Sequence, residues 1–263
     1  MKTEGQKFFF ERESALVFFN CFRLFNYNLL LVSRYSITFA ENYLQLSPME
    51  TNVSLDLMQF VETNILPKYV DFGRSHGLAH VQRVIERSLK LARQTGVDMN
   101  MAYTVAAYHD IGMSGPRAIH HITGGKILAA DQRLRRWFSA DQMRVMREAI
   151  EDHRASLSHA PRSIYGKIVA EADRDLLPEV VFRRTVQFGL ENYPEKTREE
   201  HWQRFHEHML SKYSTHGYIT LWIPNSPNEQ YLKQIRATIA DVNALKAEFD
   251  KYYDEETQAK AEH

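Results

Sequence analysis

The sequence predicts an all-α fold, and three observations carry that prediction. Apolar residues return at helical spacing in one segment after another, no stretch alternates with period two for long, and the breaks fall at helix-ending residues such as Pro67, Gly96 and Pro178. With 44% apolar residues in 263, the chain can bury one substantial core. No fixed-period repeat or low-complexity tract interrupts the pattern.

Residues 1–48 differ from the rest. Residues 8–40 are apolar and aromatic but interrupted by Glu11, Arg12, Glu13, Asn20, Arg23, Asn26 and Asn28. A membrane span needs about 20 nearly unbroken apolar residues, and a signal peptide needs a cleaner apolar core. A non-catalytic extension is therefore expected, with a true start at Met49 and a weak membrane anchor through residues 8–40 as alternatives. Residues 49–263 are expected to form the helical domain, with core motifs at about 76–176 and a C-terminal helical region.

The helices follow in order. Val53, Leu55, Leu57, Met58, Val61 and Ile65 mark a stripe over 52–66, closed by Pro67. Ser75 is placed to cap a helix that runs to Gly96, with Val81, Val84, Ile85, Leu89 and Ala92 inward. Further helices are expected over about 98–111, 120–134, 141–154 and 165–177. Ser226-Pro227-Asn228-Glu229 reads as a capping box that opens one long final helix through Lys251, suited to packing or to oligomer formation.

Composition narrows the chemistry. Lys+Arg and Asp+Glu both number 33, so no overall positive field points to nucleic acid or an anionic membrane. One cysteine, Cys21, excludes an intramolecular disulfide framework and a cysteine-rich zinc site, and fits a reducing, cytoplasmic location. The 12 histidines stand out, because neutral imidazole is the commonest metal ligand.

Helical spacing places some of these inward. His76 and His80 are four apart and share a face, and His80 lies in line with Val84 and Leu91. His109 continues the stripe of Ala102, Val105 and Ala106, with Asp110 about 100° further round. Asp173 follows Ile168, Val169 and Ala172. An inward histidine alone is more often a hydrogen-bonded core residue, and an aspartate at a helix end is more often a cap. Together, His80, His109, Asp110 and Asp173 make a two-histidine, two-carboxylate set suited to Mg²⁺, Mn²⁺, Fe²⁺, Co²⁺, Ni²⁺ or Zn²⁺.

The order of these residues, with His109-Asp110-Ile111-Gly112 at its centre, the stretch SHGLAHVQRV before it and EADRDL after it, resembles the HD superfamily of metal-dependent phosphohydrolases over roughly residues 60–180. The resemblance implies a helical HD-domain bundle whose divalent metal is held by His80, His109, Asp110 and Asp173, with His109 and Asp110 serving catalysis. HHITGGKIL and AIEDHRAS resemble segments of the binuclear relatives, which implies His120, His121 and His153 as ligands of a second metal or contacts to phosphate. His76, Arg154 and Arg174 are candidate substrate contacts, Arg174 foremost because it adjoins Asp173. The Gly-Tyr-Pro signature of cyclic di-nucleotide phosphodiesterases is absent.

The resemblance implies hydrolysis of a nucleotide or other small phosphate ester by metal-activated water. The alternative is a catalytically silent module that binds a metal or a nucleotide as a regulator. No specific nucleic-acid partner and no membrane are expected, and a homo-oligomer is compatible with the final helix. The histidine-rich stretch 201–218 has no clean ligand spacing and reads as a lid or dimer surface. RLRRWF at 133–138 reads as a surface helix end with aromatic anchors.

Overall fold

In the computed structural model, which describes residues 52–157 and 159–261, the chain is helical, with no strand among the described residues. The extension expected over residues 1–48, and its anchor and start-site alternatives, lie outside them. Among the described residues no helix is long and apolar enough to cross a membrane.

The first half packs around one buried helix. Helix α1 (Leu55–Asn64) ends before Pro67, which opens a 3₁₀ turn over Leu66–Tyr69. A short turn, α2 (Gly73–His76), precedes α3 (Leu78–Thr95) and α4 (Met99–Tyr108). Asp98 caps α4 by accepting from the amides of Asn100 and Met101. Every residue of α4 except Asn100 is buried, as expected of a helix that is apolar all round. It packs on α3, on α5 (His120–Ala130), on α6 (Ala140–Glu151) and on α7 (Ile164–Ala172). Val81, Val84, Ile85, Leu89, Leu91 and Ala92 form the buried stripe of α3 in this cluster. Each fully buried aliphatic side chain there contributes about 1.5–3 kcal/mol.

A second apolar cluster joins α8 (Pro178–Asn192), α9 (Arg198–Tyr213), α10 (Pro227–Ala240) and α11 (Val242–Ala261). The segment between α9 and α10 ties the two clusters together. Its Ile219 is buried in the second and its Ile223 in the first.

Several local expectations are corrected. Ser75 does not cap the long helix; it lies within α2, and Gly77 precedes α3 with extended backbone (ψ −172°). That break puts His76 and His80 on different helices, so their four-residue spacing is not what brings them together. The Ser226 capping box does not form. Ser226 Oγ accepts from no helix amide and instead donates to the buried Glu171 Oε1, and Glu229 Oε2 accepts from Asn225 N rather than from Ser226 N. The long final helix is two helices, because Asp241 leaves helical geometry (φ −110°, ψ 104°) and caps α11 by accepting from the amides of Asn243 and Ala244.

The histidine-rich stretch forms most of α9, which buries His201, Phe205, Met209 and Tyr213 against its neighbours, so this face is core. At 133–138, Leu134 and Phe138 are buried, Arg133 pairs with Asp131, and Trp137 Nε1 donates to Asp56.

Candidate metal centre

The cluster is assembled from helix ends. His109 is the residue after α4, Asp110 follows it, His120 opens α5, His153 lies two residues past α6, and Asp173 follows α7. Three helix C-termini, those of α4, α6 and α7, therefore end at the cluster. Carbonyl-rich helix ends carry partial negative charge, which favours a cation there.

Gly112 explains how His120 arrives beside Asp110. A Cβ at Gly112 would stand 2.0 Å from His120 O and 2.6 Å from Gly124 N, so only glycine lets the turn after Asp110 seat on the start of α5. Gly124 is close-packed but less severely, with its hypothetical Cβ 3.3 Å from His109 O.

Three imidazoles share one local device. His109 Nδ1 donates to Ala106 O at 2.8 Å, His120 Nδ1 to Arg117 O at 2.7 Å, and His153 Nδ1 to Ile150 O at 2.7 Å, each three residues back. A carbonyl only accepts, so each Nδ1 carries a proton and each Nε2 faces the interior. His109 thereby also satisfies a carbonyl near the end of α4, and His153 adds a side-chain donor to Ile150 O, which a backbone amide already reaches.

Imidazole nitrogens surround the two oxygens of Asp110. Oδ2 lies 3.3 Å from His109 Nε2, 3.6 Å from His80 Nε2 and 2.6 Å from His76 Nδ1. Oδ1 lies 3.3 Å from His120 Nε2 and 3.6 Å from His153 Nε2. Asp173 Oδ1 completes the first side, 3.1 Å from His80 Nε2 and 3.9 Å from His109 Nε2. Ligand atoms of His80, His109 and Asp173 lie within 4.8 Å of one another, as do those of Asp110, His120 and His153 and those of His76, His80 and Asp110.

Across each side two imidazole nitrogens face each other at 3.2 Å, His80 to His109 and His120 to His153. Unprotonated nitrogens at that distance, beside carboxylate oxygens, repel unless positive charge sits among them. A proton is one source. Burial alone would push His109 down, but the charge and hydrogen bond of Asp110, with Asp173, raise it to about 9. Asp110 is buried, yet His109, His120 and His153 hold its carboxyl far below the usual range, and Asp173 is lowered in the same way by His80 and His109. A divalent cation is the other source, and the mixed imidazole and carboxylate donors fit one well.

His121, Arg154 and Arg174 lie outside these converging groups. His121 is buried with no partner for Nδ1, and burial, then the Arg154 charge, push its pKa to about 4. Arg154 Nη1 donates to Ala118 O at 2.6 Å. Arg174 is buried and donates from Nη1 to Thr220 O. Arg162 is closed off from other anions by Asp152 and Glu151, both at 2.8 Å.

Three supporting residues were not anticipated from the sequence. Tyr69 OH donates to Ala107 O at 2.9 Å, bracing the end of α4. Asp152, next to His153, accepts from Arg162 N at 2.8 Å and pins the return of the chain. Glu171, wholly buried, accepts from Trp222 N at 2.9 Å and from Ser226 Oγ. A charged residue on an otherwise apolar helix face was the available signal for Glu171; the other two have none in the sequence.

Comparison with known families gives one match, to the HD domain, over residues 77–176. Neither the curated proteins nor the solved structures give a match. The matched span begins just before His80 and ends just after Asp173, enclosing the His109-Asp110 pair. The chain thus carries an HD domain over residues 77–176.

Proposed function

We propose that this protein is a metal-dependent phosphohydrolase that acts on a nucleotide or another small phosphate ester. The observation that carries the reading is the division of Asp110 between two sets of histidines, Oδ2 toward His80 and His109 and Oδ1 toward His120 and His153. His80, His109, Asp110 and Asp173 would hold one divalent cation, and Asp110, His120 and His153 a second.

A divalent cation in such a site lowers the pKa of bound water and polarises a phosphoryl oxygen. The chain's own residues supply the rest. The three backbone-anchored imidazoles cannot swing, so their Nε2 atoms hold a preset geometry and need no reorganisation during reaction. Asp110 is almost fully buried, whereas the side chain of Asp173 is 30% exposed. Asp173 is accordingly the carboxylate ligand at the mouth of the site, and the buried Asp110 the one that would orient a metal-bound water. His76, partly buried beside Asp110 with no partner for Nε2, stands on the same rim.

The test is phosphate release from a panel of phosphomonoesters, phosphodiesters and nucleotides with Mn²⁺, Mg²⁺, Co²⁺ or Ni²⁺, comparing wild type with Asp110→Ala. Release by wild type and not by the variant is expected. Tight metal retention with no release from any substrate under any ion would assign the chain to the regulatory binders instead.

A further inference from the structure

A cavity of about 170 Å³ opens between Arg154, Arg174, Tyr218, Thr220 and Trp222. Its two arginines each directly follow a cluster residue, Arg154 after His153 and Arg174 after Asp173. Consecutive Cα atoms are about 3.8 Å apart, so the cavity adjoins the cluster along two separate chain segments.

The cavity is short of negative charge. Arg174 is 9% exposed, and its Nε has no hydrogen-bond partner. Its nearest carboxylate, Glu171 Oε2, is 3.9 Å from Nη1 and is already engaged by Trp222 N. Arg154 donates to a neutral carbonyl and has no ion-pair partner among the described residues. The one carboxylate on the wall, Asp152, is engaged by Arg162. A buried guanidinium without a full complement of acceptors is costly unless an anion supplies them, and its fork geometry matches phosphate. Tyr218 and Trp222 give the same cavity a flat aromatic edge.

We infer that this cavity is a second anion subsite, holding a phosphate other than the one at the histidine–aspartate cluster. Resting on the hydrolase reading, it selects ligands with two phosphates, a nucleoside diphosphate or bisphosphate, over monophosphates.

The test is calorimetric binding to the full chain with saturating Mn²⁺. The probes are phosphonate analogues that resist hydrolysis, those of adenosine monophosphate and adenosine 3′,5′-bisphosphate, together with the α,β-methylene analogue of adenosine diphosphate. At least one two-phosphate probe should bind 10-fold or more tightly than the monophosphate. Arg154→Gln, at a half-buried position, should remove that preference while leaving monophosphate affinity within threefold, and Arg174→Gln should do the same if it folds. No preference in wild type, a preference that survives Arg154→Gln, or an equal loss of monophosphate binding would each overturn the subsite. Binding is read without turnover, so a chain that hydrolyses nothing can still show the preference, and failure here leaves the Asp110→Ala hydrolysis test standing.

Discussion

His76 Nδ1 lies 2.6 Å from Asp110 Oδ2, and the pair joins a four-residue turn to the residue that faces both halves of the cluster. Because Nδ1 donates to the carboxylate, His76 fixes which way Oδ2 points. Support of this kind is typically worth about 10–100-fold in metal affinity. His76→Ala should weaken Mn²⁺ binding by that order with little change in melting temperature of the metal-free protein. Unchanged affinity in a competition titration would show that His76 does not position Asp110.

Gly112 separates packing from ligation. Its hypothetical Cβ meets backbone atoms, which cannot step aside as a flexible side chain can. Gly112→Ala should lower stability by about 1–3 kcal/mol and displace His120, with loss of bound metal although every ligand residue is retained. Denaturant unfolding with elemental analysis checks both. A stable variant with full metal content would contradict the close-packing account.

Glu171 organises the segment that carries Tyr218, Thr220 and Trp222. Glu171→Ala leaves Trp222 N and Ser226 Oγ without their acceptor, at a cost of about 1–3 kcal/mol for a buried unsatisfied group. The emission of Trp222 should shift to the red as the segment loosens, read against Trp222→Phe as background. An unshifted spectrum with unchanged stability would remove Glu171 from this role.

His208 offers an acid-side test away from the metal centre. Burial, then the charges of Lys212 and Arg204, push its pKa to about 4. The unfolded chain takes up a proton near the ordinary histidine value of about 6.5, while the folded chain resists until about 4. Over that window the unfolded state binds more protons, so stability falls as pH falls from about 6.5 to about 4. His208→Gln should flatten part of the decline in melting temperature measured across that range with metal chelated. An identical slope in the variant would contradict it.

The site was legible in the sequence to the extent that it depends on local periodicity. His80 beside the stripe of Val81, Val84 and Ile85, and His109 at the end of an apolar helix, follow from 3.6-residue spacing alone. The parts that depend on which group reaches a hydroxyl first were not. Ser226 has the spacing of a capping residue, yet its hydroxyl is turned to donate to Glu171, distant in sequence. Conversely, Ser139 with Gln142 and Thr197 with Glu200 form capping boxes that mark the starts of α6 and α9. Both are readable from local sequence. The cavity beside Arg154 and Arg174 had no sequence signature, because its walls come from segments far apart in the chain.

The most direct test of the central claim is elemental analysis of the full chain, loaded with Mn²⁺ and desalted, for wild type and Asp110→Ala. Divalent metal retained by the wild type and lost from the variant is the predicted result. A wild type that emerges without metal, or a variant that keeps as much as the wild type, would contradict a cation centre built on Asp110.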